Sequence, residues 1–200
     1  MRLKEILLAT NNRNKVSEIK KILRVKGLRI LCLGDVKGSL FVNENGRTFA
    51  ENALKKARAA AKKFGIPAVS DDSGLCVNAL KGAPGVRSAR FVNPPVTSEK
   101  LCKKLIRKMA SVPLSRRKAS FRCCVALVFP NGGHKIVSGA CNGSIGLDMK
   151  GSGGFGYDPV FIPSGYSKTF AQMTAAQKNR LSHRGKAFKK LKEVLASGKA

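Results

Sequence analysis

The sequence predicts a mixed α/β fold, and three features carry that expectation. Apolar runs of strand length alternate with amphipathic helical stretches, Thr48-Phe49-Ala50-Glu51 forms a capping box ahead of a long Ala- and Lys-rich segment, and Pro130-Asn131-Gly132-Gly133 separates two runs that read as a hairpin. No linker or composition break divides the 200 residues, so one domain over residues 1–200 is expected, with room for two lobes and a sizeable core.

In chain order, Ile6-Leu7-Leu8-Ala9 reads as a buried first strand that Thr10-Asn11-Asn12 breaks. Val16, Ile19, Ile22 and Leu23 then recur at helical spacing, with Gly27 expected as the residue closing that helix. A strand near 29–33 leads into the capped helix, which should end at Gly65. Beyond Pro67 a short strand is expected to run into Asp71-Asp72-Ser73-Gly74, a turn-like tetrad, with 75–77 as a separate strand. A helix over 98–109, strands over 120–129 and 135–137, and helices from Thr174 and from Ser182 complete the chain.

Composition narrows the function classes. Thirty-nine Lys+Arg against 11 Asp+Glu give +28, which favours polyanionic partners and allows nonspecific nucleic-acid binding. The basic residues are spread from Lys20-Lys21 through Arg116-Arg117-Lys118 to Lys189-Lys190, which suits a solvated surface better than a dedicated arm. No segment has the length and apolarity of a membrane span or the pattern of a signal peptide. Six cysteines without C-x-x-C spacing suggest neither zinc nor a disulfide framework, and a reduced, cytoplasmic setting is expected.

Several residues can carry chemistry. In a chain poor in acids, Asp71 and Asp72 stand adjacent at a strand end; Mg²⁺ needs one or two carboxylates plus phosphate oxygens, and Glu44 can add another. Solvated acids in an Asx turn are the competing account. Thr10-Asn11-Asn12-x-x-Lys15 lies at a strand-to-helix junction, where free N–H groups and a lysine favour an anion, although simple capping explains the same residues. Lys55 and Lys56 face water or reach a phosphate. Gly151 to Pro159 sets Phe155, Tyr157 and Asp158 in a glycine-rich loop suited to stacking on a base and accepting its N–H groups, or else to packing Phe155 in the core. Ser182 caps the last helix, and His183 and Arg184 offer donors for a keto oxygen or lie on the surface.

Taken together, ATNNRNK, TFAENALKKA, SDDSGLCVNALKGAPGVRSAR, GFGYDPVF and KNRLSHRGKA resemble the inosine triphosphate pyrophosphatase family, in the family's order and across nearly the whole chain. The resemblance implies an elongated central sheet with flanking helices forming two lobes around a substrate cleft, a homodimer, and Mg²⁺-dependent hydrolysis of ITP, dITP and XTP to the monophosphate and pyrophosphate. It implies triphosphate contacts from Thr10, Asn12, Lys15 and Lys56, metal ligation by Glu44 and Asp72, and Asp72 as general base. Ser73 is expected to touch substrate, Phe155 to stack on the base, and Gly156, Tyr157, Asp158, Lys178, His183 and Arg184 to complete a purine pocket. Asn78, Arg87 and Gln172 depart from the family's usual Asp, Tyr and Glu. A pyrophosphatase for modified pyrimidine nucleotides fits the SHR and GFGYDP segments less well, and a nucleic-acid-binding module without catalysis leaves Glu44 and Asp72 unexplained.

Overall fold

The computed structural model describes residues 3–197. Six strands form one mixed sheet in the order β2-β1-β3-β4-β5-β6, with β1 at Glu5–Leu8, β2 at Arg29–Cys32, β3 at Ala68–Val77, β4 at Lys118–Val128, β5 at His134–Ile145 and β6 at Phe161–Pro163. β1 pairs in parallel with β2 and with β3, while β5 and β6 are antiparallel. Among the described residues five α-helices accompany them: α1 (Arg13–Ile22), α2 (Phe49–Phe64), α3 (Ser98–Lys108), α4 (Ala175–Leu181) and α5 (His183–Ala196). Residues cluster into two compact units, one holding the chain up to Asp72, Cys123–Gly139 and everything from Arg184, the other Ser73–Arg122 and Ala140–His183. Both units are discontinuous in sequence, and the chain passes between them inside β3, β4 and β5 and at the start of α5, which explains why no linker is visible.

In the first unit, strand alternation sorts the core onto two faces. Ile6, Leu8, Val69, Cys123, Val125 and Leu127 meet Ile19 of α1, Leu23 just beyond it, and Ala187, Phe188, Leu191 and Leu195 of α5. Their neighbours Leu7, Ala9, Ala68, Ala126 and Val128 meet Ala53, Ala57, Ala60 and Ala61 of α2, whose small side chains let the helix lie close to the sheet. α2 starts where its capping residues predict: Thr48 Oγ1 accepts the Glu51 N–H at 3.1 Å, but Glu51 Oε2 takes the Arg47 N–H at 2.8 Å. It ends at Gly65, in the left-handed conformation with φ 66°.

In the second unit α3 packs Leu101, Cys102, Leu105 and Met109 against Leu75, Phe121, Tyr157, Phe161 and Phe170. Arg117 is buried and closes the end of this helix, its guanidinium donating to the carbonyls of Met109, Val112 and Gly146 at 2.6, 2.9 and 3.1 Å. A cation at a helix C-terminus is favoured by the dipole and by the unsatisfied carbonyls there.

Three local expectations are corrected. α1 stops at Ile22, where the Leu23 N–H bonds to Ile19 O at 2.8 Å, so Gly27 does not close the helix but sits in a following turn with φ 78°. Asp71-Asp72-Ser73-Gly74 makes no turn, since β3 runs unbroken through it. The strand returning from the hairpin is not confined to 135–137 but spans His134–Ile145.

Candidate active site

Because β3 is continuous at Asp71 and Asp72, the two carboxylates leave it on opposite faces. Asp71 joins the face of α1 and α5. Its Oδ2 lies 3.1 Å from Lys15 Nζ and 3.2 Å from Arg184 Nη2, and Arg184 reaches Glu18 of α1 at 2.7 Å. Burial alone would push the Asp71 carboxyl up, but the charges of Lys15, Arg184 and Lys56 outweigh it and hold the group well below the usual carboxylate range. Asp71 is therefore a buried anion on which two cations are fixed. The nearby Cys123 thiol is pushed up by burial and by Asp71's charge, which keeps it protonated and inert.

The backbone explains the lysines. Pro67 O and Val69 O accept the N–H groups of Leu7 and Ala9, and Asp71 O continues the same row. β1 has ended at Leu8, opposite Val69, so no N–H of β1 reaches the third carbonyl. Lys56 Nζ takes it at 2.9 Å and Lys15 Nζ approaches to 3.5 Å. At the adjoining junction Asn12 caps α1, its Oδ1 accepting the Lys15 N–H at 3.1 Å, and Thr10 Oγ1 accepts the Asn12 N–H at 3.2 Å. Both side chains thus serve as caps, yet they also shape the helix start that presents Lys15.

Asp72 faces α2. Its Oδ2 accepts from Asn52 Nδ2 at 3.0 Å, and Lys56 Nζ holds Glu44 Oε2 at 2.7 Å. Burial raises the Asp72 carboxyl, and the nearby negative Glu44 adds to this against the lowering effect of Lys56, Asn52 and Lys15. A buried carboxylate with a second one nearby is a donor set a divalent cation suits. Among the described residues no group of three or more His, Cys, Asp or Glu gathers at one point. Mg²⁺ does not need one, because it keeps waters and takes substrate phosphates alongside one or two carboxylates, so Glu44 and Asp72 fit it.

The second unit gathers the remaining residues. Ser73 is half-buried on β3. Gly154, at φ 72°, has no room for a side chain, since a Cβ there would lie 2.0 Å from Asp158 Oδ2. That close approach lets Asp158 accept the Phe155 N–H at 2.8 Å while pairing with Lys178 Nζ at 2.5 Å, both groups being buried. Lys178 Nζ also sits 4.8 Å from the centre of the Phe155 ring, which is half-buried rather than packed in the core. The Gly156 N–H donates to Ser98 Oγ at 2.8 Å, and Tyr157 turns inward, its hydroxyl donating to Ser88 O at 3.0 Å. His183 is buried with its ring stacked on Phe121 at 4.6 Å and 9°. Ser182 has the extended backbone of an N-cap, between α4 and α5.

The predicted residues thus fall into two sets. Thr10, Asn12, Lys15, Glu44, Lys56, Asp72 and Arg184 belong to the first unit, and Ser73, Phe155, Gly156, Tyr157, Asp158, Lys178 and His183 to the second. Arg184 is parted from His183 and bound to Asp71 and Glu18, a hub that sequence reasoning did not find because its members lie 113 and 166 residues apart. Asn52 was also missed. Its signal was a single amide on the alanine-rich buried face of α2.

The first unit is an α/β framework that ends a strand in a ring of cations around two buried carboxylates, the kind of site that takes a phosphorylated ligand. The chain belongs to the Ham1 family, whose sequence model matches residues 6–194. It is 47% identical over 191 residues, 96% of this chain and 95% of the other, to a dITP/XTP pyrophosphatase of Desulforamulus reducens. Its fold matches a HAM1 protein from Coxiella burnetii at a TM-score of 0.89 and 37% identity, covering 98% of this chain and all (100%) of that one. A nucleoside-triphosphatase, or dITP/XTP pyrophosphatase, from Mycobacterium abscessus matches at 0.76 and 39% identity over 94% and 98% of the two chains.

Proposed function

We propose that this chain is a Mg²⁺-dependent pyrophosphatase that converts ITP, dITP and XTP to the monophosphate and pyrophosphate, clearing nonstandard purines from the nucleotide pool. The observation that carries the proposal is the pair Asp72 and Glu44, ringed by Lys15 and Lys56, in a chain whose relatives bear dITP/XTP pyrophosphatase names. Lys15, Lys56, Thr10 and Asn12 receive the triphosphate, and Ser73 touches the substrate. Glu44 and Asp72 would hold Mg²⁺, which supplies charge neutralisation to the phosphates. Asp72 orients a water and takes its proton as the oxygen attacks the α-phosphorus; the bond from that phosphorus to the bridging oxygen breaks and pyrophosphate leaves whole.

On the base side, Phe155 offers a ring face and Lys178, His183 and Arg184 offer donors, with Asp158 fixing Lys178 and Asp71 with Glu18 fixing Arg184. Gly156 and Tyr157 hold the loop that carries Phe155. A 6-keto oxygen satisfies such donors, whereas a 6-amino group leaves them unpaired at a cost of about 1–3 kcal/mol each. A homodimer in a reduced cytoplasmic setting completes the proposal. Incubation with Mg²⁺ and a nucleotide panel, with pyrophosphate and orthophosphate assayed separately, tests it: ITP and XTP should release pyrophosphate far faster than ATP. Orthophosphate release, or a preference for ATP, would overturn it.

A further inference from the structure

We infer that Asn52 is a positioning residue with two separate tasks, aligning Asp72 through its amide nitrogen and seating the Glu44 loop through its amide oxygen. The inference rests on the roles proposed above for Asp72 and Glu44. Asn52 is fully buried, in the second turn of α2. Its Nδ2 donates to Asp72 Oδ2 at 3.0 Å, and its Oδ1 accepts the Gly46 N–H at 2.8 Å. The orientation is forced: turning the amide over would set two donors face to face at Gly46 and two oxygens face to face at Asp72.

The loop is seated by four consecutive contacts on the first half of α2. Lys56 holds Glu44, Lys55 holds Asn45, Asn52 holds the Gly46 N–H and Glu51 holds the Arg47 N–H. Asn52 also reaches Asp72, whose Oδ2 accepts from its amide nitrogen. Gly46 shows how close the fit is, since a Cβ there would lie 2.6 Å from Asn52 Oδ1 and 2.9 Å from Glu51 Cβ. A side chain at 46 must lift the loop, and Glu44 with it, away from the helix. A buried amide needed only for folding would satisfy the backbone at one end and could end in any acceptor at the other. Here the second end is the carboxylate assigned to the water.

The two tasks are separable by substitution. Asn52→Asp keeps an acceptor for the Gly46 N–H and removes the donor to Asp72, so kcat at saturating substrate and Mg²⁺ should fall about 10- to 100-fold with KM less changed. Gly46→Ala keeps the Asn52 amide as a donor for Asp72, and its Cβ, pressing on Asn52 Oδ1 and Glu51 Cβ, displaces the loop. Its affinity for Mg²⁺, measured by calorimetry on nucleotide-free protein, should weaken about 10-fold or more, and its kcat at saturating Mg²⁺ should fall less than that of Asn52→Asp. Thermal melts identify a variant that has not folded, and the other variant then carries the test. Wild-type kcat in folded Asn52→Asp, or unchanged Mg²⁺ affinity in folded Gly46→Ala, overturns the inference. Wild-type protein that releases no pyrophosphate sinks the proposed activity instead, while the calorimetry still tests how Gly46 and Asn52 seat the loop.

Discussion

Asp71 and Asp72 are neighbours in one strand with opposite tasks, and substitution should separate them. Asp72→Asn removes a proton acceptor and a metal charge together, so kcat should drop at least about 10²-fold in a protein whose melting curve stays near wild type. Near-normal turnover would remove Asp72 from its role. Asp71→Asn should instead act on stability, because it takes one carboxylate from the buried Arg184 guanidinium, which keeps its pair with Glu18, and loosens Lys15. Breaking such a buried pair costs about 3–5 kcal/mol, measurable by urea denaturation at pH 7. The pH dependence follows from the depressed carboxyl of Asp71. A group whose folded pKa lies below its unfolded value of about 3.9 contributes its full stability above that pH and loses it as acid protonates the folded form. The gap between wild type and Asp71→Asn should therefore be constant from neutral pH down to about pH 5 and narrow below about pH 4. A gap that widens with acid would contradict the ion-pair account.

At the level of elements, α2 shows what was legible and why. Both its ends are set by residues next to it in sequence: the Thr48 cap and the left-handed Gly65. Thr48→Ala should lower stability by about 1 kcal/mol, read from thermal unfolding, while a melting temperature within error of wild type would mean that water replaces the cap at no cost. Gly27 looked like the same kind of stop. It failed as one because α1 ends at Ile22, and the C-cap Leu23 is a buried residue that packs with the sheet instead of extending the helix. β3 was misread for a related reason. Asp-Asp-Ser-Gly has turn chemistry when solvated, and only partners remote in sequence, Lys15, Asn52 and Arg184, make it a strand. In the glycine-rich loop the contact from Phe155 N–H to Asp158 is local, whereas the pairing of Asp158 with Lys178, 20 residues on, left no mark in the sequence.

For the whole molecule the charge of +28 remains a dominant property, and it is carried on exposed positions of every long helix, such as Lys20, Lys62, Lys103 and Lys189. Distributed charge of this kind should bind single- and double-stranded nucleic acid without sequence preference, with affinity falling steeply between about 50 and 200 mM salt. Turnover at saturating nucleotide should change far less over the same range, because the lysines nearest Asp71 and Asp72 are mostly buried and screened little. Sequence-selective binding that survives about 150 mM salt, without measurable hydrolysis, would favour a nucleic-acid-binding module. No helix among the described residues is long and apolar enough to cross a membrane.

The Asp71 hub also sets an order on biosynthesis. A ribosome delivers Lys15 before Asp71, but Arg184 emerges 113 residues after Asp71. Until then the nascent chain holds an aspartate meant for two cations with one of them still unmade. The middle of β3, which presents Asp72, therefore reaches its finished electrostatics only when α5 docks, and a chain halted before residue 184 lacks both that cation and the side chains α5 adds to the core.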